Sequence, residues 1–250
     1  MGRAIIDNLK QEKVETKYIE IGKQRTGFSL VATYGKKNTD HIVFAFRGAN
    51  EELEVNPKKL DEIKPDYIFV SSLSGKHWQG TLNKIFAWAK KHEVKVVWNP
   101  GSLQLAQGMT KLEVYLKRTD ILILNKDEAT EILIDILDKD DKESKIINPR
   151  KILSGLGSIV PGIVVMTDGI KGAWAKEFSR VYWQEVAKVK KQDTLGVGDA
   201  FGATFVWGLH EFSGDVRAAL EVATINAGAV IEKPGAQAGL LTKNQLMKKL

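Results

Sequence analysis

Asp193-Thr194-Leu195-Gly196-Val197-Gly198-Asp199-Ala200-Phe201 is the stretch whose residue types could do chemistry. Two glycines spaced by one residue lead into an aspartate that opens an apolar segment running to Trp207. The spacing predicts a tight loop feeding the start of a buried helix. Backbone amides there, backed by the helix dipole, would receive an anion. A carboxylate beside an anion site repels the anion unless it has a task, and Asp199 reads as a base next to a phosphate. The competing reading is purely local: Asp199 caps a helix and the glycines permit a turn.

Any such site must be carried by a fold that the rest of the chain specifies. At 250 residues the chain can bury a sizeable core in one domain or two. Its 43% apolar and 27% charged residues are those of a globular chain, not a disordered one. No apolar run is long enough to span a bilayer, and the N-terminus, charged at Arg3, Asp7 and Lys10, does not read as a secretory signal. The absence of cysteine excludes disulfides and thiolate metal sites and fits a reducing cytoplasm. The net charge of +6 comes from lysine pairs such as Lys36-Lys37, Lys58-Lys59, Lys90-Lys91, Lys190-Lys191 and Lys248-Lys249. They form no arginine-rich stripe with interleaved aromatics, so nucleic acid is not an expected partner, whereas small anionic substrates are.

Along the chain, residues 3–11 carry a short helical pattern. Strand-like runs follow at Tyr18–Ile21, Gly27–Tyr34 and His41–Arg47, with Gly35-Lys36-Lys37-Asn38 as a hairpin link. They precede the main alternation and read as a flap or lid. From Asn56 onward strands at Asp66–Leu73, Val94–Asn99 and Asp120–Asn125 alternate with helices at Trp78–His92, Met109–Arg118 and Lys126–Leu137. Asp138–Glu143 reads as a solvated acidic turn. A helix from Pro149 precedes strands at Gly162–Thr167, Ala173–Glu177 and Val181–Glu185. Helices at about 198–211 and 215–231 and a terminal helix at Thr242–Leu250 complete the series. This succession predicts an α/β fold with a mostly parallel sheet. Ligands of such sheets bind at the carboxyl ends of the strands. Convergence there of Asn99-Pro100-Gly101, Asn125–Glu128, Thr167–Gly172 and Asp193–Asp199 would suit a magnesium nucleotide. Gly155-Leu156-Gly157 lacks the third glycine of a dinucleotide fingerprint, no Walker loop occurs, and Ser72-Leu73-Ser74-Gly75 is no nucleophile elbow. The four histidines have no ligand spacing and read as surface or packing residues.

Asp193–Phe201 resembles the C-terminal signature of the ribokinase-like (PfkB) carbohydrate kinases. Asn125-Lys126-Asp127-Glu128-Ala129 resembles that family's Asn-x-x-Glu motif, and Thr167-Asp168-Gly169-Ile170-Lys171-Gly172 its nucleotide loop. Asn226, followed by Gly235-Ala236-Gln237, resembles its adenine-side helix and loop, and Arg47-Gly48-Ala49-Asn50 sits where the family's lid strands end. The resemblance covers essentially the whole chain. It implies a single domain over 1–250: a central, mostly parallel sheet flanked by helices, with lid strands within about 17–50. It also implies an ATP-dependent sugar kinase with Asp199 as general base and the amides of Gly196, Val197 and Gly198 as anion hole. Asn125 and Glu128 would organise Mg2+ through water. Asn125, Thr167, Asp168, Gly169, Lys171, Gly172, Gly198 and Asn226 would line the nucleotide, and Asp193 would lie near a monovalent cation such as K+. A nucleoside kinase of the same fold, or a non-catalytic nucleotide- or sugar-binding relative, are the other readings. The family's first strand and its glycine-rich, asparagine-bearing sugar segment have no counterpart before Met1, so the chain reads as N-terminally truncated, a fragment or a degenerate member. The apolar set Phe28, Leu30, Phe44 and Phe46 would either mediate homodimerisation through the lid or pack onto the chain's own core or substrate.

Overall fold

The computed structural model describes residues 1–34, 40–137, 148–187, 189–190 and 192–250. They form two compact units, one of Met1–Pro65 with Leu73–His92, the other of Asp66–Ser72 with Glu93–Leu250.

The first unit begins with α1 (Gly2–Gln11). Strands β1 (Phe28–Tyr34) and β2 (Asp40–Phe46) then pair antiparallel. Because side chains alternate along a strand, the register Phe28↔Phe46, Leu30↔Phe44 and Ala32↔Ile42 puts one apolar row on a single face. The expected link Gly35–Asn38 lies outside the described residues, as does the acidic segment Asp138–Glu143. Tyr18–Ile21 is not a strand: Ile19 N–H donates to Thr16 O (3.1 Å) and turns the backbone. Helix α2 (Pro57–Ile63) was not expected from periodicity, being under two turns long. Its start signals are nevertheless in the sequence: Asn56 Oδ1 caps Lys58 N–H (3.0 Å) and Pro57 occupies the first turn. Helix α3 (Trp78–His92) buries Trp78, Leu82, Ile85, Phe86 and Ala89, as its 3.6-residue pattern requires. His92 stacks on Trp88 with centroids 4.4 Å apart and faces Asp61 (3.3 Å), a packing role as its sequence context predicts.

The second unit is a six-stranded sheet whose strands lie in sequence order. Strands β3 (Tyr67–Val70), β4 (Lys95–Trp98), β5 (Ile121–Asn125) and β6 (Ile163–Thr167) are parallel. Strands β7 (Ala173–Glu177) and β8 (Arg180–Gln184) are antiparallel. Helices α4 (Ser102–Leu105), α5 (Met109–Leu116), α6 (Lys126–Ile136) and α7 (Pro149–Leu156) lie between the parallel strands. Helices α8 (Val197–Glu211), α9 (Val216–Ile231) and α10 (Lys243–Met247) follow the sheet.

Consecutive strand residues are buried on opposite faces. Val97, Ile121, Ile123, Val165, Ala173 and Ala175 join Phe201, Phe205, Leu209 and Ala223 in one core. Val96, Trp98, Leu122, Leu124, Val164 and Met166 are buried by the alternate face, where α6 and α7 meet β5 and β6. Burial on both sides explains why these strands read as unbroken apolar runs. Two glycines let α8 come close. A Cβ at Gly202 would lie 3.0 Å from the Phe69 ring and 3.6 Å from Ile123 Cδ1, and one at Gly208 would lie 2.8 Å from Ala219 Cα.

Candidate active site

Parallel strands deliver their carboxyl ends to one edge, and the predicted loops after β4, β5 and β6 lie there. Asn125 and Thr167, the last residues of β5 and β6, face each other in register. Asn99 Nδ2 donates to Ile123 O (2.8 Å), tying the loop after β4 to β5. Strand β5 passes into α6 without a loop because its last residue is the helix cap. Asn125 Oδ1 accepts from Glu128 N–H and Glu128 Oε2 accepts from Asn125 N–H, both at 2.9 Å. This reciprocal box uses one oxygen of Glu128 and leaves Oε1 over. Burial pushes the Glu128 carboxyl above its ordinary value, partly offset by the Asn125 amide and helped upward by Asp127 and Glu131.

The segment after β6 is a closed turn. Asp168 N–H donates to Gly172 O (2.8 Å) and Lys171 N–H to Asp168 O (3.0 Å). Gly172 adopts φ +98°, and a Cβ there would lie 2.2 Å from Gln184 O, so glycine is required on both counts. Trp183 Nε1 holds the loop to β8 through Lys171 O (3.0 Å). The Asp168 carboxylate pairs with Lys126 Nζ at 2.9 Å. Sequence reasoning placed Asp168 among the nucleotide contacts and passed over Lys126. The structure shows the two side chains engaged with each other. The one signal for Lys126 was its sign, a cation in the first turn of a helix whose dipole disfavours it.

The second group surrounds the start of α8. Gln192 and Asp193 N–H groups both donate to Ile231 O (2.8 and 3.2 Å), serving the last carbonyl of α9. Asp193 then clamps two loops: Oδ1 accepts from Leu195 N–H (3.0 Å) and Oδ2 from Gly235 N–H (2.8 Å). The Gly235 and Leu195 amides hold its carboxyl below the usual carboxylate range. Gly196 sits at φ +74° with Ala236 against it, a Cβ there falling 2.6 Å from that of Ala236. Helix α8 therefore starts abruptly and has no side-chain cap. Val197 N–H leans back on Thr194 O at 3.5 Å, whereas Gly198 and Asp199 belong to the turn whose amides have no partner within the helix. The Asp199 side chain is exposed in that same turn.

Asn226 stands at a junction of three segments. It is buried, its Nδ2 donates to Thr204 Oγ1 (2.7 Å), and its Oδ1 accepts from Leu241 N–H (3.0 Å). Thr204 in turn donates to Ala200 O (2.7 Å), one residue past Asp199. The amide thus joins α9, α8 and the C-terminal segment. It borders an open cavity of about 280 Å³ whose walls include Ala200, Trp207 and Leu246. Thr204 and Leu241 were not singled out from sequence, because neither residue type signals its partner.

Comparison with known proteins defines first the fold and then the family. An Escherichia coli putative ribokinase II in complex with ATP and Mg2+ superimposes with a TM-score of 0.80 at 20% identity, over 99% of this chain and 77% of that one. A Burkholderia thailandensis nucleoside kinase in complex with inosine gives 0.79 at 16% identity, over 98% and 76%. At these identities the likeness establishes a ribokinase fold. By sequence, an uncharacterized sugar kinase of Archaeoglobus fulgidus is 26% identical over 240 residues, 96% of this chain and 90% of the relative. A Bacillus subtilis ribokinase is 26% identical over 258 residues, 98% and 76%. Residues 1–243 match the pfkB family carbohydrate kinases. The chain belongs to this family, whose members are phosphotransferases with an alcohol group as acceptor.

Proposed function

We propose that the chain transfers the γ-phosphate of ATP to a hydroxyl of a carbohydrate or related small polyol. The observation that carries this reading is the start of α8, where open backbone amides and the exposed Asp199 carboxylate share one uncapped turn. Asp199 takes the proton from the acceptor hydroxyl as the oxygen attacks phosphorus. The amides of Gly196, Val197 and Gly198, backed by the helix dipole, receive the charge on the transferring group. Positioning and charge stabilisation account for most of phosphoryl transfer, so this small set suffices. Thr167, Gly169, Lys171 and Gly172 line the nucleotide through the closed turn, Asn125 borders it from the neighbouring strand end, and Asn226 holds α8 behind it. The strands of the first unit serve as the lid of the same kinase domain.

The residues present fit magnesium as a partner of bound phosphate. Among the described residues no group of three or more His, Cys, Asp or Glu could hold a metal ion unaided. Glu128, partly desolvated and with Oε1 outside its box, offers one carboxylate oxygen, the usual protein share for Mg2+ at a nucleotide. Asn125 and Glu128 would hold the ion through water, and it would neutralise phosphate charge. Asp193 is the proposed neighbour of K+. Both of its oxygens accept backbone N–H groups and keep further lone pairs for a cation.

The B. thailandensis neighbour, a nucleoside kinase in complex with inosine, supports nucleosides as the second acceptor class. The test is ATP turnover against pentoses, hexoses, polyols and nucleosides, with calorimetric binding of each. Phosphorylation of a sugar is the expected outcome, and preference for a nucleoside would move the acceptor to the second class. Binding of ATP and an acceptor without product would overturn the catalytic reading in favour of a binding protein.

A further inference from the structure

We propose that Lys126 and Asp168 are a positioning pair, a latch that fixes the spacing between the capping box at Asn125–Glu128 and the turn at Thr167–Gly172. The proposal rests on the kinase reading above and deepens it, since those two segments are the ones assigned to magnesium and nucleotide. The β5–β6 ladder ends at Asn125↔Thr167. One residue further the chains part, β5 entering a helix and β6 a glycine turn. At that divergence Lys126 Nζ meets Asp168 Oδ2 at 2.9 Å, with the two side chains only 29% and 14% exposed.

Local stability does not ask for these residues. A lysine in the first turn of α6 opposes the helix dipole, where an acid or a neutral residue would serve better. The Asp168 turn is closed by its own backbone, N–H to Gly172 O and O from Lys171 N–H, without its carboxylate. A shielded pair with no local task, bridging two segments 42 positions apart, is a violation of local preference of the kind found where geometry serves a site. Shielding from water makes the pair stronger and its disruption more costly than for an exposed lysine–aspartate contact. Releasing either partner frees the turn to shift against the capping box, which weakens the hold on nucleotide before it affects the base at Asp199.

The experiment measures kcat, KM for MgATP and the calorimetric Kd for MgADP. It uses the whole chain as wild type, Lys126→Met, Asp168→Asn, the double variant and Lys126→Arg. Each single neutralisation is expected to raise KM and Kd about tenfold, the scale on which residues that do not touch the ligand tune a site. The change in kcat should stay below about threefold, because the interaction does not grow in the transition state. The double variant should be no worse than the weaker single, since the two side chains act as one unit, and Lys126→Arg should bind like wild type. Unchanged KM and Kd, additive losses, or a loss confined to melting temperature overturns the latch. Should Lys126→Met not fold, the near-isosteric Asp168→Asn carries the same test. A wild type that binds no nucleotide brings down the kinase reading and the latch together. A wild type that binds and turns over beside variants that do the same brings down the latch alone.

Discussion

Two carboxylates near the proposed centre are shifted in opposite directions, and their pH signatures differ in sign. Burial raises Glu128, so its ionisation opposes folding. The stability it allows is full below its unfolded value of about 4.3 and falls as pH rises through the higher folded value. Glutamine can fill the same capping position. In urea titrations Glu128→Gln should therefore be at least as stable as wild type at pH 7, with the difference shrinking below about pH 4. The same variant should need more Mg2+ for half-maximal turnover. A variant clearly less stable at pH 7 would show that the charge supports the fold. Asp193 runs the other way: its lowered value adds stability that is present above about 3.9 and lost as pH falls through the folded value. The Gly235 amide resonance should report this with a midpoint below about 3.9, and a midpoint at or above that would break the clamp assignment. At this scale the sequence made the Asp193–Asp199 signature legible because glycine and aspartate at fixed spacing allow few backbone solutions. It did not reveal that Asn226 is held by Leu241 and Thr204, or that Lys126 reaches Asp168. Those partners are distant in sequence and none of the residue types names its mate.

Elements were legible where burial imposes a period or an unbroken apolar run. Helix α3 and strand β7 begin and end where the pattern places them, at Trp78–His92 and Ala173–Glu177. The failures have local causes. Tyr18–Ile21 has β-branched and aromatic residues, but a hydrogen-bonded turn from Thr16 diverts it before any strand could pair with it. Helix α2, at seven residues, is too short to show a period and is announced only by its Asn-Pro start. The element that matters most is α8, pressed on the sheet by Phe201, Phe205 and Leu209. Phe205 is fully buried, so Phe205→Ala should cost about 3–5 kcal/mol in urea unfolding. A cost below about 1 kcal/mol would mean that α8 is not anchored through this side chain.

For the whole molecule, the mostly parallel sheet followed from alternation, whereas its strand order and the division into two compact units did not, because alternation leaves the order open and no linker-like composition marks the division. No helix among the described residues is long and apolar enough to cross a membrane. The proposed lid carries Phe28, Leu30, Ile42, Phe44 and Phe46 exposed on one face of β1 and β2. We propose that this face pairs with a second copy of the chain, since a self-complementary apolar row suits a two-fold contact. Light scattering should then give twice the chain mass, reverting to one for Leu30→Ser with Phe44→Ser. A monomer for wild type at high concentration would dispose of the pairing. The central claim, that the turn opening α8 is a phosphoryl-transfer centre with Asp199 as its base, is tested most directly by the turnover of Asp199→Asn. The account predicts a loss of at least about 10²–10⁴-fold in kcat with MgATP affinity retained, and turnover equal to wild type would contradict it.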